Sequence, residues 1–142
     1  MIELALTLTV IAILSAMMIP RFGRVMNSSR VNRSAAIMAS DLEQAFTLAG
    51  RYRKPMRITC TCGSAIYTIA DRTGGTVRLR RRLRDDDLGN MTLTWQAPGG
   101  GVTSVDVFPS GVSSLPLQLR ITAGSSTRAV TLSTAGMVRI IP

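Results

Sequence analysis

Histidine is absent from these 142 residues, which removes imidazole acid–base catalysis and histidine-ligated metal sites from consideration. Cysteine occurs twice, at Cys60 and Cys62, and a Cys-x-Cys pair by itself falls short of a four-ligand zinc site. Aromatic residues are scarce: Trp95, Tyr52 and Tyr67 are too few and too scattered for a base-stacking platform. Lysine occurs once, as Lys54, so the other members of a basic set of 17 are arginines; 8 acidic residues leave a formal net charge of +9. No serine, aspartate or lysine constellation for catalysis is discernible. Asp85 to Asp87 read as a turn, and Gly99-Gly100-Gly101 lacks the following lysine and helix of a phosphate loop. The sequence thus predicts no enzyme, no cofactor and no metal. It leaves a basic chain suited to nucleic acid, anionic lipid headgroups or acidic polysaccharide, or one whose surface is loaded with arginine without a specific partner.

What is present is a long apolar run at the start. Ile2 to Ile19 carries one charge, Glu3, and as a helix covers roughly 27 Å, close to the hydrocarbon thickness of a bilayer. Its basic flank, Arg21 and Arg24, follows the run instead of preceding it, unlike a cleaved secretory signal. A carboxylate near the start of such a segment is costly in lipid and is usually functional and paired. The bland alternative is a plain membrane anchor with Glu3 reaching back to the interface.

From Arg21 to Ala49 the helical pattern continues and becomes amphipathic. Phe22, Val25 and Met26 form one stripe; Ala35, Met38, Leu42, Ala45 and Ala49 then recur at steps of three and four, joined by Ala39 and Phe46. Pro20 interrupts the run and predicts a kink or a locally melted segment just before it. Gly50, the cations after it and Pro55 predict the helix stop. After Pro55 the period becomes two. Met56, Ile58, Cys60 and Cys62 share a face, and further alternating runs follow at 65–70, 77–83, 91–95, 105–107, 115–121, 128–132 and 137–141, separated by Gly and Pro turns. Pro116 predicts an edge position for its strand. The organisation expected is an apolar helix over 1–20, an amphipathic continuation over 21–54 and an antiparallel β head over 55–142, an α+β chain with a sandwich-like head.

Met1-Ile2-Glu3-Leu4, the apolar run and Pro20-Arg21-Phe22 together resemble the N-terminal helix of type IV pilins and type II secretion pseudopilins, including the separation of 17 between Glu3 and Pro20. Met1 then aligns with the family's third mature residue, so two residues and the basic leader ending in Gly are expected to be missing from this sequence. Ala12 stands where the family has a mid-helix glycine. In the head, the Pro55-to-Cys60 strand and the run from Val130 to Arg139 resemble general-secretion H-type pseudopilins and FimT-like minor pilins.

The resemblance implies a helix that rests in the bacterial inner membrane and then packs into the core of a periplasmic or extracellular filament of identical or homologous subunits. It implies a prepilin peptidase and assembly machinery as partners. Met1, Glu3 and Pro20 become the assembly residues, with the Glu3 carboxylate neutralising a neighbouring subunit's N-terminal amine. Ala5, Ala12, Ser15 and Ala16 would permit close helix approach. The alternative is a minor pilin at a tip that binds DNA or another polyanion through Arg78, Arg80, Arg82, Arg84 and Arg139. Asp85 to Asp87 follow that arginine row at once, so an inter-subunit or solvated salt-bridged strand is the preferred reading of it. A third possibility is a tethered β module that never polymerises, for which Glu3 is dispensable. Cys60 and Cys62 share a strand face near the limit for bridging, so buried free thiols are expected and a disulfide is the less favoured state.

Overall fold

The computed structural model describes residues 2–83, 91–98 and 103–142, with the side chains of 17–22 outside that description. Among the described residues one helix, α1 (Ile2–Tyr52), precedes eight strands: β1 (Met56–Thr61), β2 (Ile66–Asp71), β3 (Val77–Arg82), β4 (Thr92–Gln96), β5 (Ser104–Val107), β6 (Leu117–Ala123), β7 (Ser126–Leu132) and β8 (Val138–Ile141). They form two four-stranded sheets, β3-β2-β1-β5 and β4-β6-β7-β8, and all the pairings are antiparallel.

The second half of α1 holds the head together. Val31, Ala35, Met38, Leu42, Ala45 and Ala49 alternate steps of four and three, which places them on one helix face, and all are buried. Alanine at 35, 45 and 49 lets the backbone lie close to the strands. This face meets β6, β7 and β8 of one sheet and β1 and β5 of the other. Met56, Ile58, Tyr67, Ile69, Val105 and Val107 complete the core from the first sheet, and Leu93, Leu117, Leu119, Ile121, Val130 and Leu132 from the second. The expected stripe through Val25 and Met26 is not covered: these residues are 70% and 47% exposed. Packing onto the head begins only near Asn27, because the strands do not reach further along the helix.

Helical structure continues through position 20, so no melted turn separates the two halves of α1. The helix also runs past Gly50. It ends instead with Arg53 in the left-handed region, φ 51°, where Arg53 N donates to Gly50 O and Lys54 N to Ala49 O. That pair of bonds satisfies two terminal carbonyls, a closure usually built on glycine. Beside the last turns of α1, Gly136 has φ 78°, and a Cβ there would lie 2.0 Å from the Gly111 carbonyl oxygen and 3.3 Å from the Phe46 ring. Only glycine lets the β7–β8 turn approach the 108–113 loop so closely.

Two further expectations are corrected. The strand through Cys62 stops at Thr61, and Cys62–Ser64 form a single 3-10 turn that brings Cys62 back beside Cys60; the two form a disulfide, with Cα atoms 5.2 Å apart. A fully extended chain would have held the thiols farther apart, which is why free thiols looked preferable. Pro116 lies just outside β6, which sits between β4 and β7 and is not an edge strand. A proline before the first residue removes no ladder donor.

Candidate functional site

From Ile2 to Ala16 every residue of α1 is exposed. Ile2, Leu4, Leu6, Leu8, Val10, Ile11, Ile13 and Leu14 are 47–82% exposed. At 100° per residue they cover about two thirds of the helix circumference, and Ala5, Thr9, Ala12 and Ala16 fill the remaining sector, so this is an apolar rod with no charged face and not an amphipathic stripe. Eight large apolar side chains in water are an association surface, since burying each fully is worth about 1.5–3 kcal/mol. The threonines of the rod suit it to an apolar setting. Thr7 Oγ1 donates to Leu4 O at 3.0 Å and Thr9 Oγ1 to Leu6 O at 2.8 Å, so these hydroxyls need no outside partner. Among the described residues no helix is long and apolar enough to cross a membrane; the fully described part of the run, Ile2 to Ala16, is shorter than the roughly 20 residues a spanning helix needs.

Glu3 lies in the first turn of α1, exposed, where the helix dipole favours a carboxylate. It makes no ion pair among the described residues. Met1, the neighbouring candidate, lies outside the described residues, as does the side chain of Pro20.

A polar clip fixes the second half of α1 to the head. Asp41, 4% exposed on the buried face of α1, accepts hydrogen bonds from Tyr67 Oη on β2 and from Arg81 Nε and Nη2 on β3, the last two at 2.9 Å each. The two-pronged guanidinium contact fixes the angle as well as the distance between helix and sheet. Burial, then the bond to Asp41, pushes the Tyr67 hydroxyl well above the usual tyrosine range. The hydrogen bond to Asp41 likewise raises Arg81 above its ordinary value. Neither partner was singled out from the sequence, where Arg81 stands out only as a break in the apolar side of its strand. Asp41, lying between Met38 and Ala45 on the buried stripe, is the matching anomaly that could have paired with it.

The arginine row resolves into unlike members. Arg78 is engaged: Nε and Nη2 reach Asp71 at 3.0 and 2.8 Å, and its guanidinium lies 4.1 Å from the centroid of the Tyr52 ring. That pairing holds the Asp71 carboxyl below the usual range. Arg80 and Arg82 are exposed on the same outer face and form no ion pair with a described residue. Arg84 and Asp85 to Asp87 lie outside the described residues. Arg57 and Arg72 share Asp106. Arg139 is on β8, in the other sheet, with Nε 3.0 Å from Met137 Sδ. The four described candidates, Arg78, Arg80, Arg82 and Arg139, therefore do not form one row, since Arg139 lies on the other sheet.

No family description and no curated protein matches the chain. Among solved structures it is similar to the type IV minor pilin FimU of Pseudomonas aeruginosa PAO1, with a TM-score of 0.63 and 14% identity over 80% of this chain and 90% of that one. The chain has the pilin fold. It is also similar to the minor pseudopilin EpsH of the Vibrio cholerae type II secretion system, with a TM-score of 0.60 and 15% identity over 80% of this chain and 94% of that one. At these identities the likeness is one of architecture, an N-terminal helix followed by antiparallel sheets.

Proposed function

We propose that this chain is a structural subunit of a type IV pilus-like or pseudopilus filament and polymerises through the first half of α1. The observation that carries the reading is the apolar rod of Ile2 to Leu14, held at a fixed angle to a pilin-fold head. Such a rod finds an apolar environment in two ways, within lipid as a single subunit and against copies of itself in a filament core. Both FimU and EpsH are minor subunits, one of a type IV pilus and one of a secretion system, and the same kind of place suits this chain. Membrane residence before assembly, a processing peptidase and an assembly machinery belong to this reading.

Glu3 supplies register. A carboxylate in an apolar core costs several kcal/mol unless paired, and the N-terminal amine of a neighbouring subunit is the group that recovers part of that cost. The pairing favours one axial offset between rods over the others. Replacing Glu3 with alanine should leave the head folded and cut incorporation into filaments at least tenfold, scored by immunoblot of sheared filaments against whole cells. Normal incorporation of that variant contradicts the role assigned to Glu3.

A further inference from the structure

The stretch where α1 leaves the apolar rod and enters the head is chemically unlike either. Between Glu3 and Asp41 the sequence holds no acidic residue. Over the described side chains of that stretch, Arg24, Arg30 and Arg33 are the charges, interleaved with Asn27, Ser28, Ser29 and Asn32. At 100° per residue, Arg24 and Arg33 point to opposite sides of the helix and Arg30 lies 60° from Arg33. The charges thus lie on two opposite sides of the axis, Arg24 on one and Arg30 with Arg33 on the other. A helix lying flat on a surface would gather them on one face; charges on opposite sides suit a helix that passes through a charged plane. None of the three forms an ion pair with a described residue.

The near end of the head continues this chemistry. Gly124, in the β6–β7 turn, sits against Asn27 so closely that a Cβ there would lie 2.8 Å from its Nδ2. Beside this contact is a polar cavity of about 380 Å³ lined by Ser28, Asn32, Ser126, Thr127 and Arg128 among others, with no acidic residue in its wall. Its hydroxyls and guanidinium offer donors to an anion of phosphodiester size.

We infer that Arg24, Arg30, Arg33 and Arg128 form a collar that takes the phosphodiester headgroups of anionic phospholipids where the apolar rod enters a bilayer. This rests on the reading of the rod as membrane-resident before assembly. From Arg24 to Arg33 the helix rises about 13 Å, within the headgroup layer and the adjoining Debye length. The collar sets the depth of insertion and holds the head at the surface until the subunit is drawn into a filament.

The test is flotation of the full chain with vesicles of phosphatidylcholine alone and of phosphatidylcholine with phosphatidylglycerol. The wild type should prefer the anionic vesicles, and the preference should collapse as salt is raised. Arg24→Gln, Arg30→Gln and Arg33→Gln combined should reduce it on the order of a hundredfold, at about fivefold per arginine, while binding to neutral vesicles through the rod is unchanged. Arg128→Gln should reduce it further, and lysine at all four positions should restore most of it. Circular dichroism checks that each variant is folded. An anionic preference that survives the glutamine variants overturns the collar. So does loss of filaments in those variants with the lipid preference intact, which would place the arginines between subunits. Absence of binding even to neutral vesicles would instead contradict the membrane-resident rod.

Discussion

Arg81 occupies an inward position of β3 and yet ends on a carboxylate of the helix, and this decides how the head is held. Asp41 brings a charge onto the buried stripe of α1, and the arginine fork and the Tyr67 hydroxyl satisfy it from two adjacent strands. From sequence, each residue is only a fault in a pattern, because their meeting depends on a separation of 40 residues and on a strand register that periodicity does not fix. Tyr67 gives this clip a pH signature. Its folded-state pKa is raised, so the folded chain keeps the phenolic proton above pH ~10, where the unfolded chain loses it. The contribution is therefore fully present below pH ~10 and is lost as pH rises, at about 1.4 kcal/mol per unit. Urea denaturation at pH 9, 10 and 11 should show that decline in the wild type and a flatter one in Tyr67→Phe. Equal slopes would mean that the hydroxyl is not held as described.

At the scale of elements, the helix and nearly every strand are legible, and the misses lie at their ends. Steps of three and four from Ala35 to Ala49 and steps of two after Pro55 are direct imprints of helix and strand geometry. Ends depend on single backbone choices. Arg53 takes the left-handed position expected of Gly50, three residues past it, since the buried stripe ends at Ala49 and the last turn completes itself beyond it. The close of β1 is the same kind of case. Once the chain turns at Cys62, the two sulfurs meet, and no free cysteine remains. Alkylation of the denatured, unreduced protein should add no label by mass, and reduction should expose two thiols. Two labels without reduction would restore the strand as first expected. The stripe through Val25 and Met26 has the opposite lesson. It has helical spacing but no strands opposite it, and spacing alone says only which residues can share a face.

On the proposed reading, the whole molecule is a two-ended device in which the fold serves mainly to present the rod. Apolar composition, Glu3 and Pro20 made the rod and its family likeness readable from the chain alone. The polyanion reading was not separable by sequence, because alternation put Arg78 in one row with Arg80 and Arg82. The structure instead commits Arg78 to Asp71 and Tyr52 and puts Arg139 on the other sheet. A filament role also accounts for eight exposed large apolar side chains between Ile2 and Leu14 in a chain of net charge +9, which would otherwise be a liability in water. Electron microscopy of filaments sheared from cells, with intact-mass measurement of their subunits, addresses this most directly. The account predicts that the chain is recovered within the filaments, throughout the shaft if it is a major subunit and in small amounts if a minor one. Filaments that assemble at normal length in cells lacking the chain, and that never contain it when it is present, would contradict it.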